Sequence, residues 1–144
     1  QNLKHYFQGE LAGKTIAIWG LSFKPQTDDM REASAMVLME SLWKADAKVQ
    51  AYDPEAMEEC QRIYGYRDDL ALVGTKESAL SGADALVICT EWSQFRAPDF
   101  ELIAKTLAHK VIIDGRNLYD PMLLKEKGFA YYGIGRGESI QKIQ

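Results

Sequence analysis

The chain has 144 residues, 47% hydrophobic and 26% charged, a size and balance suited to one compact domain with an adequate core. Its formal net charge of -4 argues against a nucleic-acid binder, which normally shows a basic patch, while a few placed Arg or Lys residues still suffice for an anionic small ligand. Two cysteines, Cys60 and Cys89, are too few for a disulfide scaffold and fit a reducing, cytoplasmic setting. No apolar run reaches the ~18 residues of a membrane span, and the polar opening QNLKHYFQGE does not read as a secretory signal.

Strand, loop and helix alternate along the chain. Lys14 to Trp19 (KTIAIW) is a β-branched apolar run ending at Gly20, the pattern of a buried strand. A polar loop from Leu21 to Asp28 leads to a long helix near Asp29, where Glu32 three residues on completes a capping-box-like start. Val37, Leu38, Ser41, Leu42 and Ala45 fall at helical spacing and predict its inner face. Lys48 to Tyr52 reads as the second strand, and Asp53-Pro54 as the N-cap and first-turn proline of a helix reaching Tyr64. A weaker strand over Leu70 to Val73 and a short helix over Thr75 to Leu80 follow.

Ala85 to Cys89 (ALVIC) has the unbroken apolar character of a strand covered on both faces. The loop TEWSQFRAPDF then enters a helix that runs through Leu107, and Lys110 to Ile113 is a fifth strand before the turn Asp114-Gly115-Arg116-Asn117. Asp120-Pro121 opens a helix that Gly128 closes, and Phe129 to Tyr132 is a last strand. The expected fold is α/β, a Rossmann-like three-layer α/β/α sandwich around a mostly parallel sheet of about five to six strands.

In such sheets ligands bind beyond the carboxyl ends of the strands, so Gly20 to Arg31, Thr90 to Phe100 and Asp114 to Asn117 are the segments of interest. GLSFKPQTDDMR lacks the G-x-G-x-x-G of a dinucleotide fingerprint, which speaks against NAD binding by this chain alone. Asp53 ends the second strand, where a ribose-binding acid sits in dinucleotide folds, but its Asp-Pro context favours helix capping. Lys24 and Arg31 either meet an anion, or are respectively solvated and paired with Asp28, Asp29 or Glu32; both readings stand. Among Glu91, Trp92, Phe95 and Arg96, the aromatic residues are read as packing more than as a base platform. Arg116 follows a buried strand and a glycine that admits close backbone approach, and is read as an anion or sugar ligand rather than a partner of Asp114. Cys60 and Cys89 read as small buried side chains, His5 and His109 are isolated, and neither metal-ligand spacing nor a catalytic triad is found.

The segments GLSFKPQTDDMREAS, AYDP, GADALVICTEW, VIIDGRNLYDP and YYGIGRG, in that order and spacing, resemble the UDP-glucose/GDP-mannose dehydrogenase family, and within it the UDP-glucose 6-dehydrogenases most. The likeness runs from about Leu11 to Gly137. It implies that residues 1–10 end a linker from a helical region and that residues 11–144 form the C-terminal UDP-sugar-binding domain. It further implies a parent enzyme that oxidises UDP-glucose to UDP-glucuronate with two NAD+, through a cysteine thioester whose motif does not occur in this sequence. By resemblance, Phe23, Lys24 and Arg116 contact the nucleotide sugar. Arg31 reaches toward NAD held mainly by another domain, no catalytic residue is carried over, and the fragment is expected to be inactive alone. The implied partners are UDP-glucose, the rest of the same polypeptide, and a second copy through dimerisation helices outside this stretch. A sibling specificity, UDP-N-acetylmannosamine or GDP-mannose, and a non-catalytic nucleotide-binding or scaffolding module are the alternatives. The family usually carries glycine where Asp46 stands, so the end of that helix is expected to differ.

Overall fold

The computed structural model describes residues 10–21 and 35–133. Six strands alternate with five helices: β1 (Thr15–Trp19), α1 (Ala35–Lys44), β2 (Lys48–Tyr52), α2 (Met57–Tyr64), β3 (Leu70–Leu72), α3 (Lys76–Leu80), β4 (Ala85–Ile88), α4 (Phe100–Thr106), β5 (Val111–Asp114), α5 (Pro121–Glu126) and β6 (Ala130–Gly133). A single 3-10 turn, Ser93–Phe95, interrupts the loop between β4 and α4. The strands form one sheet in the order β3-β2-β1-β4-β5-β6, and every adjacent pair is parallel. The order reverses between β1 and β4, the kind of switch point beside which α/β proteins bind ligands.

Period-two alternation along each strand divides the interior into two layers. Ile16, Ile18, Val49, Ala51, Val87 and Ile113 face α1 and α2, where they meet Met39, Leu42 and Cys60. Ala17, Trp19, Leu86, Ile88, Ile112 and Tyr131 face the opposite way and pack on Leu80, Ile103 and Leu124 of α3, α4 and α5. Burying β1, β4 and β5 on both faces explains their unbroken apolar sequences. Three helices start on side-chain caps: Thr75 accepts from the Ser78 amide, Asp99 from Leu102, and Asp120 from Met122 with Pro121 in the first turn, the start expected from the Asp-Pro pair.

Two expectations need amendment. The inner face of α1 is Ala35, Met39 and Leu42, with Leu38 and Ala45 partly buried, whereas Val37 is 56% exposed and Ser41 lies outside. Ala35 and Met39 are four residues apart and set the stripe one position away from the Val37 register. The capping-box start at Asp29 falls outside the described residues. The helix expected from Asp53 begins at Met57 instead, because Pro54 and Glu55 form a bend first. Asp53 still makes cap-like bonds, accepting from the amides of Glu55 and Ala56 at 2.7 and 2.8 Å.

Candidate functional site

At the carboxyl edge of the sheet, two buried carboxylates organise the loops. Asp53, 2% exposed at the end of β2, takes the Leu21 amide at 2.7 Å and the Trp92 indole N–H at 3.1 Å on Oδ2, while its Oδ1 serves Glu55 and Ala56. The Trp92 loop therefore crosses the end of β1 to reach the end of β2. Beneath it Gly20, at φ +100, presses so closely on Thr90 that a Cβ there would overlap the Thr90 hydroxyl. Phe95 is fully buried, stacked 5.2 Å from Trp19 and edge-on to Tyr52, which is the packing role expected for the loop's aromatics. Asp53 in this setting does not fit a dinucleotide ribose, since both its oxygens already accept two protein donors each.

Asp114 does the same for the next loop. It is 0% exposed at the end of β5. Its Oδ1 accepts the Arg116 amide at 3.0 Å; its Oδ2 accepts the Leu118 amide at 2.7 Å, the Tyr119 amide at 3.2 Å and the Tyr131 hydroxyl at 2.7 Å. Asn117 adopts the left-handed conformation at φ 59, which its short polar side chain tolerates. The loop Asp114-Gly115-Arg116-Asn117 is thus tied from below by one carboxylate. Tyr119 in turn donates to the Phe95 carbonyl, linking this loop to the one after β4.

Arg116 points its guanidinium away from this buried hub. Its side chain is 31% exposed, and Nε and Nη2 donate to Glu91 Oε2 at 3.3 and 2.9 Å. Glu91 Oε1 in turn lies 3.4 Å from Arg96 Nη2. With Asp114 it is the Arg116 backbone N–H that pairs. Arg96 and Arg116 thus flank one carboxylate, and an anionic or hydroxyl-rich ligand would meet planar, forked donors here.

Of the other residues read from sequence, Phe23, Lys24 and Arg31 lie outside the described residues. Cys60 is buried, and burial pushes its thiol up to about 11. Cys89, just past β4, is half-buried; burial raises it to about 12, with Arg116 opposing. Both are thiols at neutral pH and poor nucleophiles. Among the described residues no group of acids, histidines and cysteines has metal-ligating arrangement, and no helix is long and apolar enough to cross a membrane. The residue that sequence reasoning left without a role is Glu91. A signal existed: Ile88 and Asp114 pair in register on adjacent strands, and Glu91 and Arg116 stand three and two residues beyond them, opposite charges on neighbouring loops.

Residues 17–121 match the UDP-glucose/GDP-mannose dehydrogenase family, UDP binding domain. The chain is 45% identical to a UDP-glucose 6-dehydrogenase of Pseudomonas aeruginosa over 94% of its length, which covers 31% of that protein. Among solved structures it resembles a UDP-glucose dehydrogenase from Pyrobaculum islandicum, with a TM-score of 0.67 and 29% identity over 92% of this chain and 28% of that one. It is equally like a UDP-D-ManNAc dehydrogenase from Pyrococcus horikoshii, with a TM-score of 0.66 and 31% identity over 95% of this chain and 29% of that one. The chain spans under a third of the length of these relatives.

Proposed function

The chain belongs to the UDP-glucose/GDP-mannose dehydrogenase family, and on that premise we propose that it supplies the nucleotide-sugar side of a UDP-glucose 6-dehydrogenase active site. In this reading residues 11–144 are the UDP-sugar-binding domain and residues 1–10 the end of a linker. The whole protein would oxidise the C6 alcohol of UDP-glucose to the carboxylate of UDP-glucuronate while reducing two NAD+, in the cytoplasm and as a homodimer or higher oligomer. Hydride acceptance is the chemistry NAD supplies. The described residues offer no glycine cradle and no unoccupied acid at the end of β2, so the dinucleotide belongs mainly to another domain, with Arg31 reaching toward it. What this chain contributes is binding and orientation, by Phe23, Lys24 and Arg116. Alone, it does not turn over substrate.

The observation that carries this reading is Arg116. The loop holding it lies within the matched family segment and is fixed by Asp114, and its guanidinium emerges at the carboxyl edge of the sheet. A sibling specificity has its own support in the Pyrococcus horikoshii structure, which is as similar as the UDP-glucose enzyme; UDP is common to both substrates. Calorimetric titration of the chain with UDP-glucose, UDP-N-acetylmannosamine, UDP, GDP-mannose and NAD+ tests the assignment. Saturable binding of uridine ligands alone is expected, and Arg116→Ala should weaken it roughly tenfold, the equivalent of about 1.4 kcal/mol, with the thermal midpoint little changed. Preference for GDP-mannose or NAD+ would sink the proposal, and unchanged affinity in Arg116→Ala would remove that residue from the site.

A further inference from the structure

We propose that Glu91 is a positioning residue for Arg116, holding the guanidinium in the orientation in which it meets the nucleotide sugar; this rests on the role given to Arg116 above. Arg116 is held at both ends. Its backbone N–H is fixed by the buried carboxylate of Asp114 at 3.0 Å. Its Nε and Nη2 both donate to one oxygen of Glu91, at 3.3 and 2.9 Å. A free arginine side chain has many rotamers to lose when it captures a ligand, and a restrained one has few.

The pair has little work to do for stability. Glu91 is exposed and Arg116 half-buried, at 46% and 31%, and ion pairs open to solvent contribute little to folding. Glu91 is itself braced, since its other oxygen faces Arg96 at 3.4 Å, so the row Arg96–Glu91–Arg116 spans the loops after β4 and β5. One carboxylate between two guanidinium groups orients the nearer arginine.

The opposite role is a competitor: Glu91 would occupy Arg116 until the ligand displaced it. The two make contrary predictions for Glu91→Gln, which keeps the shape and removes the charge. Positioning predicts a loss of UDP affinity of about two- to fivefold, the size of an exposed ion-pair coupling, with no effect when Arg116→Ala is already present. Competition predicts a gain. A ligand-free readout accompanies the titration: the Arg116 Nε–Hε signal in an NMR spectrum of the chain, assigned by its disappearance in Arg116→Ala. It should exchange slowly with water in the native chain and faster in Glu91→Gln. Tighter UDP binding, an equal effect in the Arg116→Ala background, or an unaltered Arg116 signal would each overturn the proposal. Should the native chain bind no uridine ligand at all, the role of Arg116 falls, while the NMR comparison still decides whether Glu91 holds its side chain.

Discussion

The two edges of the sheet are built by different means. At the amino edge, where loops enter the strands, most of the shaping bonds run from backbone to backbone. α1 ends with Ala47 N–H on the Leu42 carbonyl and Asp46 N–H on that of Trp43; α5 ends with the same pair of bonds, Phe129 to Leu124 and Gly128 to Lys125. Both are Schellman endings, with Asp46 and Gly128 in the left-handed position at φ 66 and 87. At the carboxyl edge the loops are long, and two buried side chains, Asp53 and Asp114, gather four donors each. The amino edge has smaller side-chain ties, Asp84 to the Thr15 amide at 2.8 Å and the Trp43 indole to the Asp69 carbonyl at 2.9 Å, so it should tolerate changes of side chain better than an edge hung on two carboxylates. The rigid hubs hold the loops that carry Glu91 and Arg116 at defined places.

Truncating a hub should give the largest effect. In Asp114→Ala the amides of Arg116, Leu118 and Tyr119 lose the carboxylate that accepts from them, and the Tyr131 hydroxyl loses its 2.7 Å bond while keeping the longer one to the Tyr119 carbonyl at 3.2 Å. At roughly 1–3 kcal/mol for each buried orphan, with part recovered by relaxation and water, a loss of about 4 kcal/mol is expected. A lowered denaturation midpoint with unchanged slope would register it. A loss below about 1 kcal/mol would mean that the carboxyl edge is no more dependent on side chains than the other.

The same contrast explains what could be read from the sequence. Periodicity and composition announced every strand of the sheet, because burial on one or both faces is written locally in runs such as TIAIW and ALVI. The helix start at Asp120-Pro121 was equally local. The hubs were not, since the Asp53–Trp92 bond joins residues 39 apart and Asp114–Tyr131 residues 17 apart. Asp53 therefore looked like an ordinary N-cap, and Glu91 had no visible partner. The face of α1 slipped for a related reason: in a helix rich in Met, Leu and Ala, tertiary contacts, rather than the apolar pattern, choose which stripe turns inward.

A second test attacks the carboxyl edge through its backbone. Gly20 combines φ +100 with a site where a Cβ would lie 2.8 Å from the Thr90 nitrogen and 2.9 Å from its Cβ. Gly20→Ala adds left-handed strain to overpacking, for a loss of about 2–4 kcal/mol. Adding Thr90→Ala should recover only part of it, because the overlaps with the Thr90 nitrogen and Cβ remain. Complete recovery would show that the Thr90 side chain alone, and not the approach of two backbones, demands glycine there.

The smallest effect lies at the amino edge and has the opposite sign. Asp46 occupies the left-handed position of its Schellman ending, the position that Gly128 fills at no steric cost in α5. Replacing aspartate by glycine relieves about 1 kcal/mol of left-handed strain, and the greater freedom of glycine in the unfolded chain takes back about 0.4–1 kcal/mol. Asp46→Gly should therefore raise stability by about 0.5 kcal/mol at most, visible as a small upward shift of the thermal midpoint. No side-chain bond of Asp46 stands against this gain among the described residues, since the Asp46 carbonyl that accepts from Gly13 is kept. A clear loss of stability would mean that the Asp46 side chain takes part in holding the turn, and that the amino edge depends on side chains more than its backbone bonds imply.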